Sequence, residues 1–196
     1  MTHTHPVDPA QTALLIMDLQ PSILERVPDQ QAFLASVTKA RDAARAAGLH
    51  VVYVRAALSR DDAVRVPASN AAFAQAAASG RLDAGRPETQ VDSRIEPTEG
   101  ELVVCKTRVG AFSSASLDAT LRERGVDTLA LCGISTSGVV LSTVRDGADR
   151  DYRLFVLDDA CFDVDPEVHR VLTQKVFPRQ ASVMSVADFE GLLTAG

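Results

Sequence analysis

Three stretches of this 196-residue chain set reactive or ligand-facing side chains directly behind apolar runs. Asp18 closes the run Thr12–Met17. Lys106 closes Glu101–Cys105, and Leu129–Cys132 gives way to the polar turn Gly133-Ile-Ser-Thr-Ser-Gly-Val139. Ligands of open parallel α/β sheets bind outside the carboxyl ends of the strands, where such residues would sit. The helix pattern that starts near Gly138 would aim backbone N–H groups at the same crevice, a ready anion site. Taken singly, a charge after a buried strand serves solubility as well as function, so the weight rests on the three occurring together.

The elements that must carry these groups follow from periodicity. Continuous apolar runs suit strands covered on both faces: residues 12–17, 50–55, 101–105, 129–132, 153–157 and 181–186. Helical spacing is expected over 29–47, ending at Gly48, and over 114–124, where serines can cap it and Gly125 follows. Further helices are expected over 138–149, 165–177 and 188–194; Asp165-Pro166-Glu167 is an N-cap with proline at the first helical position. Six strands alternating with helices predict a three-layer α/β/α sandwich around a mostly parallel, Rossmann-like sheet. Residues 1–11 read as an extended N-terminal arm and 12–196 as one domain. The span from Leu58 to Gly100 is the least regular, with an Ala-rich helical piece over 71–78, and such an excursion is often a lid or an oligomer contact.

Composition narrows the function classes. A net charge of −6 argues against nucleic acid or an anionic membrane as the main partner. No signal peptide or apolar run of membrane-spanning length is expected, which suits a cytoplasmic protein. Cys105, Cys132 and Cys161 lack CxxC spacing and are expected to be reduced core thiols. His3 and His5 in the polar arm, and Asp61 and Asp62 in what reads as a solvated turn, do not make a metal site, so neither a metal nor a cofactor is expected. The chain has no GxGxxG after its first strand, no GxxxxGK[ST] and no GxSxG elbow, which removes the usual nucleotide sites and the α/β-hydrolase triad.

The run Leu14-Leu-Ile-Met-Asp18-Leu-Gln20, the run Val103-Val-Cys-Lys106-Thr-Arg108 with Phe112 and Ser113, and Gly133-Ile-Ser-Thr136 followed by Thr143-Val-Arg-Asp146 resemble the isochorismatase-like (cysteine hydrolase) superfamily. The resemblance extends over about residues 10 to 187. It implies strand order 3-2-1-4-5-6, homo-oligomers such as dimers or tetramers, and a small-molecule substrate. It also implies an Asp–Lys–Cys triad that hydrolyses small amides, with Asp18 and Lys106 as the first two members. A cis peptide at Ile134–Ser135 is implied, with the Ser135 and Val139 N–H groups at the oxyanion hole. Gln20, Arg55, Arg108, Phe112, Thr136, Ser137 and Gly138 are the candidate substrate contacts, although Arg55 and Arg108 read equally as surface or interface charges.

The nucleophile departs from the pattern. The superfamily reads Thr-x-x-Cys, and the third residue after Thr136 is Val139, which cannot attack a carbonyl. Cys132 lies seven residues earlier, within the expected strand. The first expectation is therefore a hydrolase without a cysteine, acting on a vinyl ether such as isochorismate with Asp18 as acid or base. A catalytically silent member that binds a metabolite or a protein is the alternative. An amidase using Ser137 or a water is the weaker one.

Overall fold

The computed structural model describes residues 7–114 and 116–194. Six stretches form strands: β1 (Thr12–Met17), β2 (His50–Ala56), β3 (Leu102–Lys106), β4 (Thr128–Ile134), β5 (Arg153–Phe162) and β6 (Ser182–Met184). All pair in parallel in the order β3-β2-β1-β4-β5-β6. The order reverses between β1 and β4, and the crevice outside their carboxyl ends is where such sheets hold ligands.

The helices are α1 (Pro21–Leu24), α2 (Gln30–Ala47), α3 (Arg60–Val64), α4 (Ala71–Ala78), α5 (Leu117–Glu123), α6 (Leu141–Asp149), α7 (Pro166–Val171) and α8 (Val186–Thr194). On one face of the sheet, Phe33, Val37 and Ala40 of α2 and Phe189 of α8 cover Leu14, Ile16, Tyr53 and Phe155. On the other, Leu121 of α5, Val144 of α6, and Leu172 and Phe177 beyond α7 cover Leu15, Met17, Val52, Leu131 and Val156. Burial on both faces is why these strands read as unbroken apolar runs; all six residues of β1 are buried. Asp29 starts α2 by accepting the Ala32 N–H at 2.9 Å, and Asp165 starts α7 by accepting those of Glu167 and Val168.

Several expectations need correction. The end of the arm is not extended: Val7 is buried in the core and Pro9–Gln11 make a 3₁₀ turn capped by Asp8. His3 and His5 lie outside the described residues. Cys105 is exposed, because β3 is an edge strand whose outer face is uncovered. Asp158 and Asp159 do not end a strand. β5 bulges between its pairings Val156 with Leu131 and Cys161 with Gly133, then continues through buried Ala160 and Cys161. The helix expected from Ser114 starts at Leu117 without a side-chain cap, since Ser113 is spent on the preceding loop, bonding Gly110 O and the Arg108 N–H. Asp61 and Asp62 form no loose turn: they open α3, where Ser59 and Asp62 make a reciprocal capping box. The turn after β4 is a wide π turn, Thr136–Val140, before regular helix begins, and a second one, Leu172–Val176, follows α7.

Candidate active site

β1 ends in Asp18, whose backbone takes the left-handed conformation with φ 60° while its N–H donates to Val54 O at 2.7 Å. A non-glycine residue held there costs on the order of 1 kcal/mol and persists only where its surroundings fix it. Lys106 ends β3, two strands away. Its side chain passes the small residues Ala56 and Ala57 at the end of β2 and brings Nζ to 3.0 Å from Asp18 Oδ2. Nζ also donates to Arg108 O at 3.1 Å. Both side chains are nearly closed from solvent, and Asp18 Oδ1 is buried and accepts no hydrogen bond.

Burial dominates the Asp18 carboxyl and raises its pKa to about 6, against the opposing pull of the Lys106 charge, its hydrogen bond and the Ala56 N–H. The group therefore passes between its acid and base forms close to neutrality, as a proton-transfer group must.

The turn after β4 stands directly beside this pair. Gly133 has φ 138°, and a Cβ there would fall 2.1 Å from Met17 O, so only glycine lets β4 lie against the peptide that precedes Asp18. The Ile134–Ser135 peptide is cis. The turn then winds on Ser135 O, which accepts the N–H groups of Gly138 and Val140 at 3.1 and 3.2 Å. A Cβ on Gly138 would meet Ser135 Oγ at 2.7 Å, so this second glycine keeps room for the Ser135 side chain. Val139 is buried with Met17, Ala111 and Val140 in the apolar core.

The structure thus brings Asp18, Lys106 and the 134–139 turn to one sheet edge, and it commits several candidate substrate contacts elsewhere. Gln20 is fully used: its amide donates to Ala56 O and Thr89 O at 3.0 and 2.9 Å and accepts the Ala56 N–H at 2.7 Å. It ties β1 and β2 to the long excursion and is not free for substrate. Arg55 donates to Thr89 O at 2.7 Å and lines a separate cleft of about 290 Å³ with Gln90, Glu96 and Val103. Phe112 stacks on Tyr152 at 5.7 Å under the Arg150 guanidinium and packs as core. Thr136 is wholly buried with its hydroxyl 2.8 Å from His169 Nδ1. Arg108 lies over the Phe73 ring of α4, 5.7 Å from its centroid, so the excursion reaches the loop that carries Lys106's partner carbonyl. Ser137 is exposed and its N–H donates to Asp163 Oδ2 at 2.7 Å. Cys132 is buried in β4 with its thiol on Leu15 O and its pKa pushed well up by burial, which makes it inert packing.

Sequence reasoning missed His169 and Asp163 as neighbours of the turn. The start of α7 at Pro166 was legible, and it puts His169 in that short helix, but nothing local indicates that this residue faces Thr136. Among the described residues no three of His, Cys, Asp and Glu converge as metal ligands, and no helix is long and apolar enough to cross a membrane.

Comparison with known proteins adds the family context. Residues 12–188 match the isochorismatase domain. The chain is 32% identical to the uncharacterized isochorismatase family protein YecD of Escherichia coli, over 90% of this chain and 93% of that one. It is 34% identical to the ureidoacrylate amidohydrolase RutB of Methylobacterium radiotolerans, over 95% and 81% of the two chains. The crystal structure of a cysteine hydrolase from Pseudomonas syringae superposes with a TM-score of 0.87 at 24% identity, covering 97% and 96%, which establishes the shared fold.

Proposed function

This chain belongs to the isochorismatase family, and on that premise we propose that it hydrolyses a small molecule without a covalent intermediate, with Asp18 as the proton-transfer group. The observation that carries this reading is the Asp18 carboxyl itself. One oxygen is held by Lys106 at 3.0 Å, the other is buried and unbonded, and the pKa stands near 6. Oδ1, free of the Lys106 bond, is then the atom that carries the proton, and a substrate reaches it only when the site opens.

A vinyl ether such as isochorismate suits this arrangement. Asp18 gives its proton to the enol-ether carbon, leaving an oxocarbenium ion, and water adds to the cationic carbon. The carboxylate takes back the proton that the water sheds, and the hemiketal collapses to pyruvate and an alcohol. No sulfur is needed, which fits valine at position 139. Lys106 keeps the carboxylate form tolerable in a buried setting and so holds the pKa near the working range. The turn N–H groups of Ser135 and Val139 would hold an anionic oxygen of the substrate, away from the cationic centre, and the Arg108 guanidinium would hold a substrate carboxylate. A cytoplasmic dimer or tetramer belongs to the same proposal, and light scattering on the purified protein tests the assembly.

The test is pyruvate release from isochorismate, run beside ureidoacrylate and N-carbamoyl amides. Turnover that disappears in Asp18→Asn supports the reading; equal rates in the two proteins overturn it. The near-complete closure of Asp18 and Lys106 together with Val139 favours a second reading, a silent member that binds a metabolite. Silence across both substrate panels with calorimetric binding would select it. Amide hydrolysis that survives Ser137→Ala would exclude the serine-dependent version.

A further inference from the structure

The segment that follows β5 returns to the turn after β4 at two points. Asp163 is buried and accepts the Ser137 N–H on Oδ2 at 2.7 Å. His169, in the last turn of α7, places Nδ1 2.8 Å from Oγ1 of Thr136, which has no solvent exposure. Thr136 and Ser137 are consecutive residues of the turn, so two side chains from one segment grip adjacent positions of it, one through a hydroxyl and one through a backbone N–H.

The turn needs such a grip. It is a π turn, closed by Val140 N to Ser135 O at 3.2 Å and by Leu141 N to Thr136 O, a wider ring than the α-helical one. Ser135 at its start makes no side-chain cap, and Gly138 within it has no Cβ. Its orientation is therefore set from outside. Thr136 itself is too enclosed to meet a substrate or to act as a nucleophile, so the bond to His169 can act only through the backbone that Thr136 belongs to.

We propose that His169 is a positioning residue that, through Thr136, fixes the strand-to-helix turn whose N–H groups hold the substrate. The catalytic half of this rests on the reading of the turn given under Proposed function; the structural half does not. A threonine hydroxyl both donates and accepts, so the bond forms whichever ring nitrogen of His169 carries the proton. An asparagine side chain presents a polar atom close to the place of Nδ1, whereas leucine fills the volume without one. That pair of variants separates the hydrogen bond from mere packing.

The experiment measures two things on the whole chain: amide hydrogen exchange of Ser137 through Val140 by NMR, and kcat and KM for whichever substrate the wild type turns over. His169→Leu is expected to speed exchange at these amides by about tenfold or more while amides of β1 keep their protection. It is expected to lower kcat by about 10- to 100-fold with KM within about twofold, because the loss is in positioning rather than in substrate contact. His169→Asn is expected to recover most of both. Unchanged exchange in His169→Leu overturns the proposal. So does an equal loss in both variants, which would mean that ring packing alone matters, and so does faster exchange with an unchanged kcat. If the wild type turns over nothing, the hydrolase reading falls, and the exchange measurement with its asparagine rescue still decides whether His169 holds the turn.

Discussion

Asp18 and Asp92 are carboxylates of equal side-chain exposure and opposite character. Each side chain is 8% exposed and each faces a cation. Arg94 gives Asp92 guanidinium bonds at 2.7 and 2.9 Å and its own N–H at 3.0 Å, and this hydrogen bonding holds the carboxyl below the usual carboxylate range. Asp18 has one ammonium at 3.0 Å and one oxygen with no partner, and there burial wins. The cations differ too: the Arg94 side chain is 49% exposed and stays hydrated, while Lys106 is 3% exposed. Side-chain exposure does not separate a capping carboxylate from one that can exchange protons. The depth of protein around it, the number of hydrogen bonds it receives and the solvent around its partner do.

The comparison breaks most readily on activity. Asp18→Asn should lower turnover by about 10²–10⁴-fold in the pyruvate-release assay, the usual worth of a positioned acid or base. Asp92→Asn should leave it within about twofold, as expected of a side chain whose hydrogen bonds all go to Arg94. An Asp92 variant that lost as much would show that the contrast has no functional meaning.

Removing the cation is the next largest perturbation. Lys106→Met takes away both of the influences by which Lys106 lowers the Asp18 pKa, so the carboxyl should titrate above its present value of about 6, read by carboxyl ¹³C NMR. At pH 8, where the orphaned carboxyl must either stay charged without a partner or take up a proton, the variant should be less stable by ~3 kcal/mol in urea unfolding, the scale for breaking a buried pair from one side. That loss should shrink as the pH falls and Asp18 becomes neutral.

The two carboxylates should also shape the stability curve with opposite signs. The raised pKa of Asp18 means that the folded state holds its proton more tightly than the unfolded chain. Its contribution is fully present below about pH 3.8 and is lost as the pH rises through about 6. Asp92, shifted down, contributes above the unfolded value of about 3.8 and loses that contribution in stronger acid. Subtracting the unfolding profiles of Asp18→Asn and Asp92→Asn from wild type should give slopes of opposite direction; slopes of the same direction would remove the distinction. The smallest effect is expected from Asp92→Ala, which deletes the cap of the 3₁₀ turn Ser93–Ile95 and should cost about 1 kcal/mol by thermal unfolding.

Much of this was legible along the chain. The positions of β1, β2 and α2 and the start of α7 follow from apolar periodicity and capping residues, which are local properties. The resemblance gave the sheet order, and the end of an apolar run marked Asp18 and Lys106 as sheet-edge charges. Boundaries failed where a side chain was used by something else. Ser113 stabilises its own loop instead of capping α5, and a bulge absorbed Asp158 and Asp159 into β5. The substrate candidates Gln20, Phe112 and Thr136 looked available only because their partners Thr89, Tyr152 and His169 stand 33 to 69 residues away in sequence.

By itself the sequence determined the layers, the sheet-edge location of the charged pair and the absence of sulfur at position 139, because burial pattern and residue identity are written position by position. Tertiary structure alone decided which polar groups are spent and which are free. It closed Gln20 into a structural tie, set His169 and Asp163 against the turn, and left Asp18 Oδ1 without a partner. Hydrogen-bond capacity belongs to the residue, but its commitment depends on the groups that folding brings within about 3 Å.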